Sequence, residues 1–468
     1  MNPYMRGIRQ SWPLAAPPLS VQTEAIKRCA GRGRFGWWLD PGLGKTRLTL
    51  AEAELLYGAG EIRNVAVIVP NSVKGVWAAE AAKVQSSFKV VTWPEAPPKD
   101  PEGVLLIQNY EAVIASGGAV LEQFLAHDTM LVLDESARVK NPKAKCTKAL
   151  LALSYGHKYV RLLSGLPAPQ NVLDYWAQLR LLGADVNRNW FAFRGRYARM
   201  GGYLQKQIVG VQNEEELSRI IESVSFRARK QDWLDLPPKL YTFRDYQLEP
   251  AQRKAYGSLL RDLVVLLDSG KVVTAPLAVT QLLKLSQVSS GFIHDAEGRA
   301  IDLVLPKDNP KLNLIAEVQD EIPGKVIVFA VFRRTLELMK QRWPDCPVIE
   351  GGMKQEDVDK AVVQFNTSNC KAIYCQVQSS KYGLTLLGHK DMPCSTIVYA
   401  ENSYSLDARL QSEDRAHRVG QTRSVLYIDL LGTKVEHAAL EILSRKQELS
   451  AAILDRGSAL RKALKAEL

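Results

Sequence analysis

The stretch Trp37–Leu56, WWLDPGLGKTRLTLAEAELL, decides the fold. A short apolar run ends at Leu39, Gly42 and Gly44 follow closely, and a helical pattern starts at Lys45 and Thr46. Glycines let backbone N–H groups approach phosphate oxygens, and a helix N-terminus adds positive potential. Lysine brings a point charge to the β- and γ-phosphates, and a hydroxyl at Thr46 can hold Mg²⁺. Asp40, Pro41, Gly42, Leu43, Gly44, Lys45 and Thr46 therefore make a candidate triphosphate loop. It departs from the full pattern at one position, where Leu39 stands in place of the first glycine.

About 90 residues downstream, LVLDESARVKN (131–141) runs an apolar strand into two adjacent carboxylates, Asp134 and Glu135. Acids at a strand end are poor core residues. They are useful if they face a nucleotide: Asp134 then holds Mg²⁺, largely through water, and Glu135 orients the attacking water. Phosphoryl transfer asks the protein mainly for such positioning and charge stabilisation. The rival reading, acids drawn to a positive helix end, accounts for a lone Asp-Glu pair better than for one paired with the glycine loop.

Short, nearly continuous apolar strands recur at 64–70, 104–110, 131–135 and 159–165, and again at 325–330, 372–377, 396–401 and 425–431. Strands of this kind are buried on both faces, as in parallel sheets flanked by helices. Between the two sets, from about 172 to 300, the pattern is mostly helical. The expected class is α/β, with two lobes and a helical insertion between them. The expected divisions are lobe one at 1–240, with the insertion from about 172, a helical linker at 241–305, lobe two at 306–445 and a helical tail at 446–468. In QSEDRAHRVGQ (411–421), Arg415 and Arg418 are three apart and expected on one helix face, where guanidinium groups can reach a transferring phosphate.

The 468 residues are 46% hydrophobic and 24% charged, with net charge +11. A membrane span and a signal peptide are not expected. Six scattered cysteines without CxxC spacing speak against a structural metal and for a reducing compartment. The excess of Lys and Arg suits a polyanion, because neutralising phosphates releases counterions.

Taken together, these motifs resemble the Swi/Snf-type motors of helicase superfamily 2. LSVQTEAIKRC (19–29), VPNSVKGVWAAE (69–80), LDESARVKN (133–141), LLSGLPAPQNVLDYW (162–176), FRARKQDWLDLPPK (226–239), SSKYGLTLL (379–387) and QSEDRAHRVGQTRSV (411–425) carry the resemblance in order. It implies two RecA-like lobes, ATP and Mg²⁺ as cofactors, and double-stranded or branched DNA as partner, with DNA-bound proteins as further targets. It implies that Gln22 reads adenine and that Gly383 joins the nucleotide site. Ser72, Lys74, Asn109, Tyr110, Lys140, Ser379, Ser380 and Lys381 are candidate DNA-backbone contacts, with Tyr110 equally open to a place in the core. Arg194, Arg196 and Arg199 form a second candidate patch, whose rival reading is an amphipathic face with solvated arginines. The compact length is nearest to annealing-helicase-like and bacteriophage members, acting as a monomer in a bacterial or phage-infected host cytoplasm, or in a nucleus if the source is eukaryotic. Two departures matter: Ala137 replaces the usual histidine after the acids, and Leu166 replaces the threonine of the Ser-Gly-Thr-Pro turn. The rival functions are a strand-separating DNA or RNA helicase and a catalytically weak adaptor that keeps the fold for binding.

Overall fold

The structure is a computed structural model that describes residues 12–444 apart from 116, 202–206, 269–274, 296 and 383. The expected tail at 446–468 lies outside the described residues. The chain divides into two compact units at Asp235/Leu236.

The first unit is built on a seven-stranded sheet. In chain order its strands are β1 (Arg34–Leu39), β2 (Asn64–Val69), β3 (Lys89–Thr92), β4 (Val104–Asn109), β5 (Thr129–Asp134) and β6 (Val160–Leu163). A hairpin of β7 (Ala198–Gly201) and β8 (Gln207–Val211) intervenes before β9 (Ser225–Ala228). The sheet order is β3-β4-β2-β5-β6-β1-β9, and every pairing in it is parallel. Period-2 alternation sends successive residues to opposite faces. Thus Ala66 and Ile68 of β2 enter one apolar layer, and Val65 and Val67 enter the other. Two covered faces explain why these strands read as unbroken apolar runs.

The second unit follows the same plan. Its strands are β10 (Lys239–Asp245), β13 (Lys325–Ala330), β14 (Val348–Ile349), β15 (Ala372–Gln376), β17 (Met392–Tyr399) and β18 (Val425–Leu431), after the small hairpin β11 (Phe292–His294)/β12 (Ala300–Asp302). The order is β10-β18-β17-β13-β15-β14, with β16 (Gly388–His389) folded antiparallel onto β17. Val326 and Val328 face one apolar layer, Ile327 and Phe329 the other.

The stretch 172–300 is mostly helical, as expected, with Glu214–Val224, Pro250–Asp268 and Ala275–Ser289 its longest helices, but it also holds strands from β7 to the start of β12. One sequence expectation needs correction. The boundary drawn at 240/241 falls inside β10, which pairs with β18 along its whole length. That strand is an exposed edge, with Tyr241 and Phe243 more than half exposed, so it lacks the apolar run that betrays a central strand. Among the described residues, no helix is long and apolar enough to cross a membrane.

One ionic knot ties the first unit together behind its sheet. The Arg161 guanidinium, 1% exposed, grips both oxygens of fully buried Glu52 and donates to the carbonyls of Arg32, Gly33 and Val160. It lies over the Trp37 ring, 5.6 Å from the centroid. Arg161→Leu strands the Glu52 carboxylate in the core. The expected loss is about 3–5 kcal/mol, read by urea denaturation; a loss below about 1 kcal/mol means that the pair is not what holds this region.

Candidate functional site

The first unit's nucleotide candidates gather at the C-terminal edge of its sheet, where open α/β folds bind ligands. β1 runs into the phosphate loop and β5 runs into the acids. β6 lies between them, with Leu163 opposite both Trp37 and Asp134. Two strand spacings, about 10 Å, therefore separate the two features.

The loop itself is shaped by two left-handed residues, Gly42 (φ +90°) and Gly44 (φ +72°), and Gly44 caps the helix Lys45–Gly58. A Cβ on Gly44 would collide with Gln22 Nε2. Gln22 is fully buried: its Nε2 donates to Gly44 O (3.0 Å) and its Oε1 accepts from Leu19 N (2.9 Å). The amide expected to read adenine thus fixes the phosphate loop here. Lys45 Nζ turns back to Leu39 O at 2.9 Å. Asp40 is clamped by Arg227 at 3.0 Å and by the Lys230 N–H at 2.9 Å, both from beyond β9 or on it. Lys230 is itself buried, and its Nζ would lie 3.7 Å from a Cβ on Gly42. Sequence reasoning noted this basic segment but did not place Arg227 and Lys230 beside the loop.

Asp134 ends β5 and is 6% exposed. Its Oδ2 accepts from Trp77 Nε1 (2.8 Å) and its Oδ1 from Glu135 N (2.9 Å). Burial raises its carboxyl above the ordinary carboxylate range, opposed by the Trp77 hydrogen bond and by the Lys45 charge. Glu135 sits at φ +52°, a left-handed backbone that costs a non-glycine residue roughly 1–3 kcal/mol and concentrates at functional sites. The hydroxyl of Thr46 and the carboxylates of Asp134 and Glu135 offer oxygen only. That donor set suits a hard cation such as Mg²⁺ held with phosphate oxygens, and the glycine turn with Lys45 suits a triphosphate.

The two departures are bridged by other residues. Ser136 Oγ, fully buried, donates to Gln178 Oε1 (2.8 Å), and Gln178 Nε2 donates to the carbonyls of Pro167 (2.6 Å) and Asp174 (3.0 Å). A polar link thus joins the acid loop to the Ser164–Ala168 turn beside Leu166. That turn abuts the phosphate loop: a Cβ on Gly165 would lie 2.9 Å from Pro41 Cδ. Nothing in the sequence pattern singled out Gln178.

In the second unit, the helix Leu406–Glu413 ends before the arginines, so Arg415 and Arg418 do not share a helix face. They converge all the same: Arg415 Nη1 (3.3 Å) and Arg418 Nη1 (3.0 Å) both donate to Leu384 O. Arg415 Nε donates to Gln411 O, and burial lowers the Arg418 pKa. Glu413, at the end of that helix, pairs with Lys239 and Arg409, which rigidifies the helix that leads to them.

The DNA candidates divide. Ser72, Lys74, Asn109 and Lys140 are partly exposed. Lys74 Nζ reaches Trp93 O, and Asn109 pairs with Glu111. Tyr110 must be corrected: it is 4% exposed, and its hydroxyl donates to Asp134 O at 2.7 Å. Ser379 is buried too, its hydroxyl donating to Gln376 O. Gly383 and the side chains of Ser380 and Lys381 lie outside the described residues. In the second patch, Arg196 is bound by Glu216 (Nε to Oε1, 2.8 Å), and Arg194 lies over the Trp190 and Phe191 rings.

Compared with known families, residues 39–289 match the SNF2-related domain, and residues 310–420 match the helicase conserved C-terminal domain. The chain is 25% identical over 449 residues to the Homo sapiens SWI/SNF-related matrix-associated actin-dependent regulator of chromatin subfamily A member 1, covering 89% of this chain and 41% of that protein. It is 24% identical over 461 residues to the Schizosaccharomyces pombe SWI/SNF chromatin-remodeling complex subunit snf22, covering 89% and 26%. This chain therefore spans less than half the length of both. Among solved structures, the Sulfolobus solfataricus SWI2/SNF2 ATPase core in complex with dsDNA aligns over 97% of each chain at 22% identity, with a TM-score of 0.43.

The glycine geometry gives a direct test. Gly44→Ala forces a left-handed alanine and drives Gln22 off its carbonyl. We expect a loss of at least about 1–2 kcal/mol in denaturant unfolding together with weakened nucleotide binding in a fluorescence titration. An unchanged midpoint contradicts the backbone reading.

Proposed function

Because the chain belongs to the family of the SNF2-related domain, we propose that it is an ATP-dependent motor that moves along double-stranded DNA. The observation that carries this reading is the shared edge of one sheet, where β1 leads into the phosphate loop and β5 into the acids with only β6 between them. Lys45 and the loop amides bind the triphosphate. Thr46 and Asp134 hold Mg²⁺, which when bound neutralises charge on the β- and γ-phosphates. Glu135 orients the attacking water, and Arg415 and Arg418 stabilise the transferring phosphoryl group.

Duplex tracking without sequence reading needs contacts to the DNA backbone rather than to base edges. The net charge of +11 supports such a partner. Ser72, Lys74, Asn109 and Lys140 are our contacts in the first unit; Ser380 and Lys381 are proposed from the resemblance, as is Gly383 at the nucleotide. Within this reading, its place is that of a monomeric cytoplasmic motor of the annealing-helicase or bacteriophage kind, working on repair, recombination or replication structures or on DNA-bound proteins.

The test is ATP hydrolysis with duplex, single-stranded and forked DNA, combined with displacement of a third strand from a triplex. Duplex DNA should stimulate hydrolysis and the third strand should be released. Lys45→Ala should abolish both, and Arg418→Ala should slow turnover by about 10³-fold or more. Stimulation by single strands with unwinding of a tailed duplex would make the protein a strand-separating helicase. Hydrolysis no higher than in Lys45→Ala, with DNA binding retained, would make it an adaptor.

A further inference from the structure

We infer that Trp77 is the positioning residue for the metal-holding carboxylate Asp134, and that it sets how strongly Mg²⁺ reinforces nucleotide binding. The inference rests on the reading of Asp134 as the metal-holding acid.

Trp77 is fully buried, on the helix Lys74–Lys83. Its indole N–H reaches Asp134 Oδ2 at 2.8 Å. A buried indole is not automatically paired in this unit: among the described residues, the equally buried Trp37 and Trp38 N–H groups meet no acceptor. The Trp77 bond is aimed. With Oδ2 held by the indole and Oδ1 by the Glu135 N–H, rotation of the carboxylate is restrained. The lone pairs left over, of about four on the two oxygens, are held in fixed directions. The Tyr110 hydroxyl holds the carbonyl of the same residue at 2.7 Å, so the backbone and the side chain of Asp134 are both pinned. Groups that orient a metal-binding carboxylate without touching the metal typically change metal affinity by about 10–100-fold when removed.

Trp77 also connects this carboxylate to the surface segment at the start of its own helix. Its helix starts at Lys74, directly after the single turn Asn71–Val73 that closes β2. Ser72 and Lys74, our candidate DNA contacts, are therefore less than two helical turns from the indole. A load on that segment reaches Asp134 through one rigid element and one hydrogen bond.

The experiment measures binding, without turnover. A fluorescent, hydrolysis-resistant ATP analogue is titrated into wild type and Trp77→Phe, once with saturating Mg²⁺ and once with EDTA. In wild type, Mg²⁺ should tighten binding. In Trp77→Phe that tightening should fall about tenfold or more, while the affinity in EDTA stays the same. Replacing the Trp77 indole by its benzothiophene isostere keeps the volume and deletes only the N–H, so it should reproduce the loss even if Phe perturbs the fold. Leu56→Ala, a core truncation at the far end of the phosphate-loop helix, should lower stability and leave the Mg²⁺ effect intact. If wild type shows the Mg²⁺ effect and both Trp77 variants keep it, the inference is overturned while the metal reading stands. If wild type shows none, the reading of Asp134 has failed and takes the inference with it.

Discussion

A carboxylate buried at the end of a parallel strand is the constraint on which the first unit depends. Removing an ionised group from water is costly unless hydrogen bonds replace the lost solvent. At Asp134 the Trp77 indole, the Glu135 N–H and the nearby Lys45 charge offset part of that cost. Each of these fixes something else. The indole fixes the helix Lys74–Lys83 against the sheet. The Glu135 amide requires the left-handed turn that aims the next carboxylate. The lysine begins the helix that the glycine loop caps. The parallel sheet brings these distant segments to one edge, and the acid makes their relative placement matter.

The same edge is closed upon itself. Lys45 bonds to Leu39 O, and Gln22 bonds to Gly44 O. Asp40 is held by Arg227 and by the Lys230 amide. A bound triphosphate has to draw Lys45 away from a neutral carbonyl. That exchange is favourable, because the ammonium trades a carbonyl dipole for a full opposite charge. Gln22 is in a different position. Its two bonds stay within the protein and satisfy buried groups, so reading a base requires giving up the bond that braces Gly44.

Much of this was legible from residue order, and the failures have identifiable causes. The glycine turn, the strand-end acids and the doubly buried strands announce themselves because each needs particular residues at fixed spacing. β10 was missed because an exposed edge strand carries no apolar run, and β9 because four residues, SFRA, are too few to show a period. Tyr110 and Ser379 were misplaced because a position after a strand end does not say which way its side chain turns; both turn inward to backbone carbonyls. Arg415 and Arg418 kept their convergence but not their helix, since spacing of three reads as one face only while the helix lasts. Trp77 and Gln178 were invisible because their partners are 57 and 42 residues away in sequence, and only the folded sheet brings them close.

The substitutions at Ala137 and Leu166 look at first like a loss of communication between the acid loop and the neighbouring turn. Apolar replacement of both ends of a buried hydrogen bond can be nearly neutral for stability, and an apolar swap is what the sequence suggests. The fold holds more than that. Ser136, one residue earlier, and Gln178, from a separate helix, restore a polar path to Pro167. Its geometry differs from a direct bond. Gln178 also ties its own helix at Asp174 O, so a shift of the acid loop pulls on the helix Tyr175–Leu181 as well as on the turn. Both Ser136 and Gln178 are fully buried, where an unmet polar group costs about 1–3 kcal/mol. The path therefore moves as a unit or breaks at a measurable cost, and that is the property a coupling element requires.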